Sequence, residues 1–121
     1  MASVELNAAN FESTISAPGT VLVDLWAAWC GPCRNFAPVF EAASEKHQDI
    51  VFGKIDTEAE QQLAAAANIT SIPTLMAFRD GILVFSQPGA LPAEALEDLI
   101  GQIQGLDMDA VKKDIAQSAE V

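Results

Sequence analysis

Thr20-Val21-Leu22-Val23-Asp24-Leu25-Trp26-Ala27 is followed, after Ala28, by Trp29-Cys30-Gly31-Pro32-Cys33. The first eight residues are a near-continuous apolar run, the pattern of a central strand buried on both faces. The Cys-x-x-Cys falls where that strand ends and a helix begins, and in open α/β sheets the carboxyl ends of strands are where sites are built. At i and i+3 of a first helical turn, two sulfurs lie side by side at a separation that suits a reversible disulfide. The same turn has unpaired N–H groups and the positive end of the helix dipole, which favour a thiolate over a thiol. Pro32 fits an early helical position, where no backbone donor is lost. Both cysteines of the chain are spent on this motif. Structural zinc also uses Cys-x-x-Cys, but tetrahedral zinc needs four ligands, and the chain offers no third cysteine and only His47. Redox chemistry with no metal is the reading; an inert structural disulfide is its alternative.

Working outward, Val4-Glu5-Leu6 can form a short strand, and Asn7 or Asn10 can cap a helix with Phe11 and Ile15 on one face. Pro18-Gly19 breaks the chain before the central strand. Beyond Cys33 the helix places Phe36, Val39, Phe40 and Ala43 on one face, and Pro38 predicts a kink near the Arg34 carbonyl. Residues 50–56 read as a strand and residues 58–67 as an alanine-rich helix. Strands over 74–78 and 82–86 flank Arg79-Asp80-Gly81, an antiparallel hairpin signature. Pro88-Gly89 is the next break. Pro92 then opens a helix with Leu96, Leu99, Ile100 and Ile103 inward, stopped by Gly105. The order is βαβαβαββα, an α/β fold. Beyond it, Asp107 is a candidate N-cap for a short accessory helix whose Met108, Val111 and Ile115 pack back on the domain.

At 121 residues and half hydrophobic, the chain is long enough for one domain with its own core. No apolar stretch reaches the length of a membrane span. The first residues, Met1-Ala2-Ser3-Val4-Glu5, carry neither a basic nor an apolar export region, so a cytoplasmic setting is expected. In a reducing cytosol a cysteine pair is more often catalytic than structural. Six Lys and Arg against 17 Asp and Glu give a net charge of -11, which argues against nucleic acid or an anionic membrane as partner.

Taken together, Trp29-Cys30-Gly31-Pro32-Cys33, the strand Val23-Asp24-Leu25-Trp26-Ala27, the loop Ser71-Ile72-Pro73-Thr74 and the loop Pro88-Gly89-Ala90 resemble, in order and spacing, the thioredoxin family of bacterial type. The likeness spans about residues 4 to 105. It implies a mixed central β-sheet flanked by helices, with a thioredoxin domain over residues 1–105 and an extension over 106–121. It implies a protein-disulfide reductase and electron carrier, probing targets through Trp29, Gly31, Pro32, Ile72, Pro73, Pro88 and Gly89, with a cis bond at Ile72-Pro73. Cys30 would attack a target disulfide and Cys33 would resolve the mixed disulfide.

Asp24 shares a strand face with Leu22 and Trp26, so its carboxyl is costly to ionise and its pKa should be raised. The resemblance makes it the buried acid behind the cysteines, paired with Lys54. Implied partners are thioredoxin reductase and disulfide-containing target proteins; no bound cofactor beyond the Cys30–Cys33 disulfide is expected, and nothing in the pattern demands more than a monomer. Arg34 keeps the positive charge where many members have lysine, and Pro88 stands where an aliphatic residue is usual. Two other functions remain at this stage. One is an oxidase or isomerase of the same fold, against which the Gly-Pro between the cysteines counts; the other is a binding module that uses the apolar surface near Trp29, Ile72 and Pro88.

Overall fold

β2 (Thr20–Trp26) is buried from Thr20 to Leu25 and has a partner on each side, β3 (Val51–Asp56) in parallel and β4 (Thr74–Arg79) antiparallel. The structure, a computed structural model, describes residues 2–119. The sheet is completed by β1 (Val4–Glu5), parallel to β3, and by β5 (Ile82–Pro88), antiparallel to β4, giving the order β1-β3-β2-β4-β5. The helices are α1 (Phe11–Ile15), α2 (Gly31–Lys46), α3 (Gln61–Ala66), α4 (Ala93–Gln104) and α5 (Met108–Ala119). The element order is the one the sequence predicts, and the architecture is a five-stranded mixed sheet covered by helices on both faces.

Successive side chains of a strand point to opposite faces, and β2 sorts the core accordingly. Val21, Val23 and Leu25 join Leu6, Ile55, Met76 and Phe78, and against them pack Phe11 and Ile15 of α1 and Leu63 of α3. Leu22 faces the other way, onto Phe36, Phe40 and Ala43 of α2 and Leu96, Ile100 and Ile103 of α4. The Phe40 ring meets Phe52 edge-on, with centroids 5.2 Å apart. Val39 and Leu99, placed inward by helical spacing, are only half-buried at the border of this core. By the same alternation Asp24 points to the α2 side.

Several boundaries differ from the sequence reading, each for a local reason. α3 begins at Gln61 rather than 58, because Asp56 Oδ1 accepts from the N–H groups of Glu58 and Ala59 (3.0 and 3.4 Å) and turns residues 56–60 into a loop. Asn10 is the N-cap residue of α1, but its side chain accepts from Asn7 N–H at 2.7 Å instead of capping the helix. β5 runs on to Pro88, an edge-strand position where the missing N–H costs nothing. α2 continues through Pro38 as one helix. The β4–β5 turn uses positive φ at both Asp80 (54°) and Gly81 (81°), as a two-residue hairpin turn requires.

Asp107 caps α5 as expected, its Oδ1 accepting from Ala110 N–H at 3.2 Å. The apolar face does not pack along its length, however. Met108 is buried and Val111 half-buried, but Ile115 is 48% exposed. Burial along this face falls from Met108 through Val111 to Ile115, so Met108 is its most deeply packed side chain. Met108→Ala should therefore lower the unfolding free energy by about 2 kcal/mol, whereas Ile115→Ala should change it by less than about 0.5 kcal/mol. Urea denaturation of the two variants checks this, and equal losses would show that the whole helix face is packed.

Candidate active site

Cys30 is the N-cap of α2, with Gly31 and Pro32 as the first helical residues and Cys33 one position further. Cys30 and Cys33 form a disulfide with Cα atoms 5.2 Å apart. Cys30 Sγ accepts from the backbone N–H of Cys33 at 3.1 Å, so the first sulfur takes the place of a capping oxygen at the positive end of the helix. Burial does not distinguish the two sulfurs: Cys30 is 4% and Cys33 3% exposed. What separates them is position, Cys30 at the mouth of the helix and Cys33 inside its first turn.

Around Cys30 the structure gathers three loops that are distant in sequence. Cys30 Sγ lies 3.8 Å from the carbonyl oxygen of Ile72, and the Ile72–Pro73 bond is cis, as expected. Pro88 pairs with Thr74 across β4–β5, and Gly89, at φ +108°, donates its N–H to Pro73 O at 2.8 Å. The loops bearing Ile72, Pro73, Pro88 and Gly89 are thus tied to one another beside the disulfide. Trp29 is 67% exposed, and its Nε1 donates to Glu58 Oε1 at 2.7 Å. An apolar groove of about 530 Å³ opens beside it, lined by Trp29, Thr57, Ala64, Ala65 and residues 69–72.

Behind the disulfide lies a second hollow, of about 250 Å³, on which Asp24, Cys33, Trp26, Lys54, Arg34 and Ala37 all open. Asp24 is fully buried, and neither of its carboxylate oxygens has a hydrogen-bond partner among the described residues. Burial pushes its carboxyl up from 3.8 to about 7, with the Lys54 ammonium pulling the other way. Lys54 is the register partner of Asp24 on β3, but its Nζ lies over the Trp26 ring, 5.1 Å from the centroid, and acts on the carboxylate through space without a hydrogen bond. Arg34 stands at the wall of this hollow, its Nη1 donating to Ala28 O at 2.9 Å.

Two residues of this neighbourhood escape a reading of the linear sequence. Glu58 reaches Trp29 from 29 positions away, and Thr57 ties the end of β2 to the end of β3 by donating its N–H and Oγ1–H to Trp26 O (2.9 and 3.0 Å). No spacing rule links them to the cysteines; only the parallel β2–β3 pairing does. His47 sits at the far end of α2 with Nε2 2.8 Å from Glu97 Oε1, away from the disulfide. Among the described residues, no group of three or more His, Cys, Asp or Glu side chains could hold a metal ion, and no helix is long and apolar enough to cross a membrane.

Comparison with known proteins places this geometry. The thioredoxin family model matches residues 2–102. A relative from Streptomyces coelicolor that carries the name thioredoxin 2 provisionally is 55% identical over 115 residues, covering 95% of this chain and 86% of the relative. The thioredoxin of Bacillus subtilis is 39% identical over 84% of this chain and 98% of its own length. Among solved structures, a mutant thioredoxin from Halobacterium salinarum superposes with a TM-score of 0.78 at 35% identity, covering 86% of this chain and 91% of that one.

The raised pKa of Asp24 makes stability depend on pH in a definite direction. Below pH 3.8 the carboxyl is protonated in both the folded and unfolded chain and costs nothing. As pH climbs towards about 7 the unfolded chain ionises freely while the folded one resists, so the fold loses stability; above about 7 the loss is constant. Asp24→Asn should thus gain roughly 4 kcal/mol over the parent between acid and neutral pH. Urea unfolding at both ends of that window measures it, and a difference independent of pH would remove Asp24 as the titrating group.

Proposed function

The chain belongs to the thioredoxin family of thiol-disulfide oxidoreductases, with Cys30–Cys33 as its redox-active disulfide, and from that premise we propose that it carries electrons to protein disulfides, with Cys30 attacking and Cys33 resolving. The observation that carries this order is the helix N-cap geometry. The Cys33 N–H and the dipole of α2 both favour negative charge on Cys30 Sγ, so the reduced protein presents its thiolate there. That thiolate attacks one sulfur of a target disulfide, forming a mixed disulfide and releasing the other target sulfur as a thiolate. Cys33 then attacks Cys30 Sγ, which restores the Cys30–Cys33 disulfide and expels the reduced target. Two electrons pass from the dithiol to the target.

Cys33 must lose a proton for the second step, and Asp24 is the acceptor that opens on the same hollow. A carboxyl whose pKa lies at about 7 can take up and return a proton at neutral pH. Lys54 tunes it electrostatically from the register position beside it. Trp29, Gly31, Pro32, Ile72, Pro73, Pro88 and Gly89 form the target-binding rim, with the half-buried Ile72 supplying backbone groups to an extended target segment. Family membership implies a reductase and target proteins as partners. We assign the recycling to thioredoxin reductase, the working form to a monomer, and the setting to the cytoplasm, where the prevailing poise keeps such a dithiol reduced. The redox unit is assigned to residues 1–105, with 106–121 accessory to it.

Cys33→Ser should accumulate covalent mixed disulfides through Cys30, and Cys30→Ser should trap nothing. Non-reducing gels of thiol pulldowns read the outcome, and equal trapping by the two variants would overturn the order of attack. Truncation after Gly105 should lower the melting temperature while leaving disulfide reduction largely intact; lost reduction would place residues 106–121 in the site.

A further inference from the structure

The indole of Trp29, which walls the groove, holds a carboxylate on its N–H. Glu58 is exposed and gives one carboxylate oxygen to the Trp29 indole, at 2.7 Å. A carboxylate accepts several hydrogen bonds, so the contact with Trp29 leaves it able to take a second donor. The charge does not swing freely with its loop. The Glu58 N–H is held by Asp56 Oδ1 at 3.0 Å, the Glu60 N–H by Asp56 O at 2.8 Å, and the intervening Thr57 is pinned twice to Trp26 O. Every one of these anchors lies at the carboxyl end of β2 or β3, the end from which Cys30 projects.

From Ile55 to Phe78 the chain has no Lys, Arg or His, while Asp56, Glu58 and Glu60 fall within it. Lys54 lies over the Trp26 ring and Arg34 donates to Ala28 O, and among the described residues neither forms an ion pair with Glu58. The groove itself is apolar, and the Glu58 carboxylate sits on the indole of Trp29, which forms its wall, with Thr57, the residue before Glu58, also in its lining.

We propose that Glu58 is a specificity-determining residue, which selects target disulfides flanked by an arginine or lysine while it holds Trp29 as the wall of the groove. The selection rests on the disulfide-reducing function proposed above and names the chemical class of target it prefers. A cationic side chain next to the target disulfide completes the coordination of the Glu58 carboxylate, and an acidic one is repelled by it. An exposed charge pair changes a rate constant by about two- to five-fold, so opposite flanking charges should separate targets by about ten-fold at low salt.

The test uses three disulfide peptides of one length that differ only in the residue next to the disulfide: Arg, Gln or Glu. Second-order rate constants for their reduction by the pre-reduced full chain are measured by stopped flow. The parent should rank them Arg over Gln over Glu with about a ten-fold spread, and the spread should collapse in about 1 M salt, where the Debye length is about 3 Å. Glu58→Gln keeps an acceptor for Trp29 but removes the charge, so its spread should fall to less than about two-fold at low salt. Glu58→Ala loses both, so it should lack the selection and also show a shifted Trp29 fluorescence that Glu58→Gln does not. Equal rates for the three peptides in the parent, or a spread that survives in Glu58→Gln, would overturn the proposal. Failure of the parent to reduce any of them would overturn the disulfide-reducing function, and this selection with it.

Discussion

The double burial of β2 is the constraint from which the site follows. A strand enclosed on both faces must be apolar at nearly every position, yet its carboxyl end has to lead into a helix whose first turn holds two nearly buried sulfurs. Alternation then leaves little freedom. With Val21, Val23 and Leu25 committed to the face of α1 and α3, the even-numbered positions fall under α2, whose N-terminus holds the cysteines. Asp24, the polar residue of that face nearest the carboxyl end of the strand, is thereby aimed behind the disulfide. Moving it by one position would send it to the opposite layer, away from Cys33.

Placing a carboxyl there works against the fold. Among the described residues Asp24 has no hydrogen-bond partner to repay its desolvation, and the Lys54 ammonium only partly offsets it from its station over Trp26. The large aromatic core on the same face, Phe36, Phe40 and Phe52 beside Leu22 and Leu75, supplies the apolar burial against which this loss is set. The same burial that costs stability is what brings the carboxyl's proton affinity to neutrality. A hydrogen-bonded or solvated carboxyl would be cheaper and would remain ionised, unable to accept a proton from a thiol near pH 7.

The sequence made the sheet and the disulfide legible because their signals are local: an apolar run, a Cys-x-x-Cys at a helix start, an Asp-Gly turn, and a proline at each loop that borders the site. Asp24 was legible as well, since one acid in an apolar run has few innocent readings. α3 starts later than the helix propensity of residues 58–60 implies, because that propensity loses to the Asp56 side chain, which captures two N–H groups in a turn. Periodicity reveals an apolar face on α5 without revealing how much of it is covered, and Ile115 is left 48% exposed. Glu58 was invisible for a different reason. Its contact with Trp29 exists only once β2 and β3 lie in parallel register, with Leu25 beside Ile55 and Trp26 beside Asp56.

That register also explains how an exposed tryptophan can have a defined place. Trp29 lies three residues beyond β2 and Glu58 two residues beyond β3, so the parallel pairing carries both to the same edge of the sheet. Thr57 closes the two strand ends together through Trp26 O, and Asp56 folds the chain back so that Glu58 faces the indole. The wall of the groove is therefore built from backbone geometry that the sheet already enforces, and only its last contact, a carboxylate on an indole N–H, depends on the side chain chosen. A position of that kind can change the charge presented to a partner while the strands, the helix N-terminus and the disulfide stay where they are. Tuning of target choice can then proceed at the rim without disturbing the buried acid or the sulfurs on which the chemistry depends.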